Sequence, residues 1–162
     1  MDRPAAERKV AIGVDTHKYV HVAVALDPLG GRLSELTVSA DRGGYGQLER
    51  WARGLGPVIA FGIEGTASYG AGVASYLRCA GCRVIEVNRP DRRERRLNGK
   101  RDPLDAENAA RAVLSGRATA IPKAGDGQVE MVRQIKIAKD TAVKSRTAAM
   151  ITLKTLVITA PA

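Results

Sequence analysis

The chain has 162 residues, 44% of them hydrophobic, enough for one respectable core and too apolar for a disordered polyelectrolyte. Its 26 basic residues against 17 acidic ones leave a net charge of +9, which suits a polyanionic partner. No stretch approaches the roughly 18 apolar residues of a membrane span, and the opening MDRPAAERK has no apolar signal-peptide core. A cytoplasmic protein without a membrane segment is therefore expected.

Val10 to Val14 (VAIGV) is a short continuous apolar run, the mark of a central strand buried on both faces, and it ends at Asp15. VHVAVAL follows after a tight connection and closes at Asp27-Pro28 and Gly30-Gly31. RLSELTVS then gives way at Asp41-Arg42-Gly43-Gly44, so these three segments read as an antiparallel meander. Leu48, Trp51, Ala52 and Leu55 recur at helical spacing until Gly56-Pro57. VIAFGI is a further buried strand ending at Glu64, followed by a helix from about Tyr69 to Ala80 and a fifth strand, RVIEV. Cys79 and Cys82 form a lone CxxC; the only histidines, His17 and His21, are far off on another element. Two partly buried thiols flanking a helix stop at Gly81 fit better than a zinc site.

Seven of the 13 residues from Arg89 to Arg101 are basic: Arg89, Arg92, Arg93, Arg95, Arg96, Lys100 and Arg101. Such a run is either a solvated helix face or a phosphate-contacting surface. A core helix is predicted from about Pro103 to Ser115. From about Gly127 one long helix runs to Pro161, with a thin apolar stripe of Met131, Ile135, Ala138, Ala142, Ala149, Leu153 and Leu156. Such a stripe either pairs with another helix or folds back on the domain. The order βββαβαβα is that of the ribonuclease H-like fold, a five-stranded mixed sheet with flanking helices, here followed by a long C-terminal helix. Actin-like ATPases and sugar kinases share its opening.

KRDPLDA, residues 100 to 106, has a structural explanation of its own: Asp102 as N-cap, Pro103 at the first helical position, Asp105 as the acid of a capping box. Yet Asp105 lies on the helical side of Ala106, Ala109 and Val113, opposite Glu107, Asn108 and Arg111, and an acid on a core-facing stripe is costly unless compensated. Asp15 and Glu64 each close a buried strand. If all four acids meet, hard oxygen ligands suit Mg²⁺ or Mn²⁺, and a pair of ions about 4 Å apart serves phosphodiester chemistry.

GVDTHKYVHVAVA, EGTASY and VIEVNRPDRRERRLNGKRDPLDAENAARAV, in that order and over most of residues 10 to 115, resemble the N-terminal domain of the DEDD-type insertion-sequence transposases, relatives of Piv-type DNA invertases. The resemblance implies a RuvC-like fold and carries over Asp15, Glu64, Asp102 and Asp105 as catalytic metal ligands, with Mg²⁺ as cofactor, as two ions in the family pattern, and Mn²⁺ as substitute. Ala67 stands where the family usually has glycine, and Arg101 where a small hydroxyl residue commonly precedes the first aspartate of the pair. The resemblance further implies a catalytic domain over residues 1–122 and the start of a coiled coil over 123–162. A second domain, whose serine attacks DNA, would be absent from this chain, making it a fragment incompetent alone.

The expected partners are DNA, a structured guide RNA in some relatives, and further copies of the chain, as a dimer or tetramer through the long helix. Lys18 and the seven basic residues are the expected nucleic-acid contacts. His17 reads as a plain turn residue, His21 as an ordinary strand residue, and Tyr69 as a lining of the nucleic-acid groove. Aromatic residues at 4% favour backbone contact over base readout. Three other readings stand beside this one: a stand-alone structure-specific nuclease of the RuvC type, an actin-like ATPase or sugar kinase, and a non-catalytic nucleic-acid-binding module that dimerises.

Overall fold

Strand parity organises the molecule. A computed structural model describes residues 9–87, 102–125 and 127–161. Five strands, β1 (Val10–Thr16), β2 (Val20–Leu26), β3 (Arg32–Ser39), β4 (Val58–Glu64) and β5 (Val84–Val87), form one sheet in the order β3-β2-β1-β4-β5. The first three pair antiparallel, while β4 and β5 add in parallel on the other side of β1. This mixed sheet with helices on both faces is the ribonuclease H-like fold expected from the element order.

Residues of one parity face two helices, α1 (Arg42–Leu55) and α2 (Ala71–Cys79). Val10, Ile12 and Val14 of β1 pack there with Phe61, Ile63, Leu48, Ala52, Val73 and Leu77 in the largest apolar cluster. Residues of the other parity face α3 (Asp102–Leu114), where Ala11, Ala60, Ile85 and Val113 cluster, and where Val24 and Leu26 meet Ala106 and Ala110. Trp51 packs against the first cluster, as its helical spacing predicted.

Several boundaries differ from the sequence reading, each for a local reason. The Asp41-Arg42-Gly43-Gly44 segment does end β3, but it also starts α1: the Asp41 carboxylate accepts a hydrogen bond from Gly44 N at 2.9 Å as N-cap. The Gly44 amide, helped by the Ser39 hydroxyl, holds the Asp41 carboxyl below its ordinary pKa. The second helix begins at Ala71 rather than Tyr69, because residues 65–70 form a turn in which Gly65 adopts φ +65° and its carbonyl accepts from the amides of Ser68 and Gly70. Gly81 at φ +77° stops α2 as expected, leaving Cys79 exposed and Cys82 half-buried, both as free thiols.

After α3 the connector returns along the outer edge of β5: Glu86 N donates to Ala120 O at 2.7 Å. Arg78 fastens it from α2, donating to the carbonyls of Pro122 at 3.3 Å and Ala124 at 3.0 Å. The chain divides into two compact units, residues 1–124 and 125–162. The second is α4 (Gln128–Thr159), 32 residues long, with none of its described residues buried. Met131, Ile135, Leu153 and Leu156 of the predicted stripe are all exposed. No helix among the described residues is long and apolar enough to cross a membrane.

The tightest constraint lies between α3 and the sheet. A Cβ on Gly13 would stand 1.8 Å from the Ala106 carbonyl oxygen and 2.5 Å from Ala110 N, and one on Gly62 would stand 2.8 Å from the Ala109 carbonyl oxygen. Helix backbone thus rests directly on strand backbone. Gly13→Ala is expected to destabilise the protein by about 3 kcal/mol, the upper end of overpacking costs, because the obstacle is backbone and cannot swing aside. Gly54→Ala, at an exposed position of α1 with nothing within 4 Å of the new Cβ, should instead stabilise by roughly 0.5–1 kcal/mol. Urea denaturation of the two variants beside the wild type reads both.

Candidate functional site

The parity that buries Ala11 and Gly13 under α3 continues to Asp15, and the parity of Ala60 and Gly62 continues to Glu64. The parallel register pairs Ala11 with Ala60 and Gly13 with Gly62, so the two acids follow on neighbouring strands at the same level. Both side chains consequently belong to the face that α3 covers. Asp15 is 5% exposed and Glu64 3% exposed. Thr16 ties the two strand ends, its hydroxyl donating to the Glu64 carbonyl at 2.9 Å.

Asp105 reaches the same edge from above. It precedes Ala106, the residue seated on Gly13, and is 7% exposed, whereas Asn108 and Arg111 point to solvent. Glu107 also turns away and pairs with Arg111 at 2.6 Å, and Arg32 of β3 approaches it at 3.8 Å. The helical angle read from the sequence was therefore sound: Asp105 lies on the core-facing side. α3 starts at Asp102, at the same edge of the sheet, since its later residue Val113 packs lower, on Ala11 and Ala60. The Asp102 side chain lies outside the described residues. So do Arg89, Arg92, Arg93, Arg95, Arg96, Lys100 and Arg101, which follow β5.

One boundary correction bears on the site. Asp15 does not follow β1 but lies within it, paired with Val22, and β1 continues through Thr16, paired with His21. The turn needs only Lys18 and Tyr19 at its tip, with His17 N donating to Val20 O at 3.1 Å, so the antiparallel ladder reaches further than the apolar run. His17, read as a plain turn residue, is instead a neighbour of the site: its Nε2 stands 3.1 Å from Asp15 Oδ2. Lys18 sits at the tip with its ammonium 4.9 Å from the centre of the Tyr19 ring. Tyr69 lies in the turn after Glu64 and is exposed.

Asp15, Glu64 and Asp105 offer carboxylate oxygens, the ligand type that hard divalent cations take. Among the described residues, no three His, Cys, Asp or Glu side chains converge at metal-holding spacing. A separate cleft of about 660 Å³, lined by Arg53, Pro57, Val58, Cys82 and Arg83, opens where β4 begins, at the opposite end of the sheet.

The model of the IS110-type DEDD transposases, described as a transposase family, matches residues 12–159, nearly the whole chain. The chain belongs to this transposase family. A comparison with curated proteins finds no match. The acids reported above thus lie in a DNA-transposition protein, at the edge of the sheet where the parallel strands β1, β4 and β5 end.

Two features of this transposase chain escaped the sequence reading. Tyr19 was passed over, although its place at the tip of a two-residue turn was a signal of exposure. His21 is a strand residue as expected, but its ring is fully buried and stacks on Tyr45, with centroids 5.7 Å apart and planes 9° from parallel. Tyr45 in turn meets Tyr76, so these rings belong to the packing between sheet and helices.

Burial holds the His21 pKa below its ordinary 6.5, and the nearby His17 adds to the effect. The folded protein therefore refuses a proton that the unfolded chain accepts, and stability falls as pH drops through about 6.5 and below. His21→Phe, which keeps a flat ring against Tyr45, should flatten the acid side of a Tm-against-pH profile. A proton NMR titration of the wild type should show the His21 ring resonances titrating at lower pH than a free imidazole.

Proposed function

We propose that Asp15, Glu64, Asp102 and Asp105 form one divalent-metal site, and that residues 1–122 are the catalytic, RuvC-like domain of a DNA transposase. The observation that supports this most directly is the shared face. Asp15, Glu64 and Asp105 are all buried on the α3 side of the sheet at one edge, where a single carboxylate would gain nothing by burial. Mg²⁺, as two ions with Mn²⁺ as substitute, would supply activation of the attacking oxygen and stabilisation of the leaving one in DNA strand cleavage and transfer.

The protein's own part is to bind and to orient. Asp15 and Glu64 are held on adjacent strands tied by Thr16, and Asp105 is set by the seating of α3 on Gly13. His17 stands against Asp15 Oδ2 and fixes the side of that carboxylate facing the turn. Lys18 and the basic residues Arg89, Arg92, Arg93, Arg95, Arg96, Lys100 and Arg101 contact phosphates, those of the DNA and, in a guided transposase, those of a structured RNA. Residues 123–162 begin a coiled coil through which copies pair as a dimer or tetramer, the exposed apolar residues of α4 forming the seam.

Mn²⁺ titration by calorimetry tests the site on the 162-residue chain, with Asp15→Asn and Asp105→Asn beside the wild type, each with and without duplex DNA. The expected result is binding by the wild type and a loss of at least about tenfold in affinity for each variant. Equal binding by all three proteins, or none by the wild type even with DNA, would return Asp102 and Asp105 to helix capping and refute the metal site.

A further inference from the structure

The tip of the β1–β2 hairpin pairs a cation with an open aromatic face at the edge where the carboxylates lie. Tyr19 is 73% exposed, and the Lys18 ammonium covers only one side of its ring at 4.9 Å. The backbone beneath is fixed. His17 N donates to Val20 O at 3.1 Å across the turn, and Ala40 N donates to Tyr19 O at 2.9 Å from the end of β3. A tyrosine on so rigid a support loses little conformational freedom on binding. The strand end that carries the tip adjoins the turn after β4: a Cβ on Gly65 would stand 3.4 Å from Thr16 Oγ1 and 3.0 Å from Ser68 Oγ. That turn presents a second open ring, Tyr69, 55% exposed.

Among the described residues, no apolar cluster takes up either ring. Tyr45 and Tyr76 are placed against the apolar cluster, but Tyr19 and Tyr69 are not among the residues packed there. An exposed ring beside an ammonium in a chain of net charge +9 matches a nucleotide, whose base offers a π-face and whose phosphate offers an anion.

We propose that Tyr19 is a base-stacking platform that takes an unpaired base of the DNA strand entering the carboxylate edge, with Lys18 reaching the adjoining phosphate and Tyr69 lining the same path. The proposal deepens the transposase reading and rests on nucleic acid occupying that edge. It assigns the tip a role beyond backbone contact: holding a strand that has left its duplex.

Fluorescence anisotropy with a labelled homothymidine strand, an abasic strand of equal length and an oligouridine strand tests it on the full chain. Tyr19→Ala should weaken binding of the homothymidine strand by between about 5-fold and 100-fold. Tyr19→Phe should restore it, and the abasic strand should bind wild type and Tyr19→Ala alike. Lys18→Ala should instead lower the slope of affinity against salt by about one. An unchanged Tm for Tyr19→Ala establishes that the exposed ring is not structural.

Wild-type affinity in Tyr19→Ala, an equal loss on the abasic strand, or a loss confined to oligouridine would each overturn the proposal. None of these outcomes touches Mn²⁺ binding by the acids. A failed platform with intact metal binding leaves the metal site standing, and loss of metal binding with intact stacking does the reverse.

Discussion

Everything at the acidic edge depends on one close approach, the seating of α3 on Gly13 and Gly62. With side chains at those positions the helix would stand off the sheet by the thickness of a methyl group or more; without them, carbonyl oxygens of Ala106 and Ala109 press onto strand backbone. The alanines at 106, 109 and 110 serve the same end from the helix side, since larger residues would lift it. The level and rotation of Asp105 follow from that contact, as it is the residue immediately before the one that rests on Gly13.

The sheet supplies the complementary half. A period of two along β1 and β4 sends the glycines and the acids to one face and the bulky Ile12, Val14, Phe61 and Ile63 to the other. Parallel pairing then sets Asp15 and Glu64 level with each other. The division of labour is clear: the α1–α2 side carries the largest apolar cluster, while the α3 side is closely seated, small-residued and polar at its edge. A face built this way gives up apolar contact area to the acids buried at its edge.

The antiparallel half of the sheet extends this edge outward. Because β1 and β2 are joined by a two-residue tip, the ladder runs past Asp15 to Thr16 and His21 before turning. The tip therefore stands beyond the acids, rigid and solvent-exposed, with His17 turned back to Asp15 and Lys18 and Tyr19 turned outward. The same register that projects the tip buries His21 on the opposite face against Tyr45, so neighbouring residues of one hairpin have opposite environments.

Local pattern made much of this legible in advance. Continuous apolar runs identified the buried strands, and the helical spacing of Ala106, Ala109 and Val113 identified the face of Asp105, because both depend only on backbone periodicity. The order of elements implied the ribonuclease H-like sheet, and the ordered motifs implied the transposase family. What the linear pattern could not express was contact between distant segments. That Gly13 and Gly62 form a bed for α3, that β1 runs on through Asp15, that His17 stands against that carboxylate, and that Tyr19 is open while His21 is sealed all follow from register and helix seating. By itself the sequence determined which segments are strands and helices and which side of each is apolar; only the tertiary structure decided which of those sides meet, because a contact belongs to two segments at once and is encoded in neither.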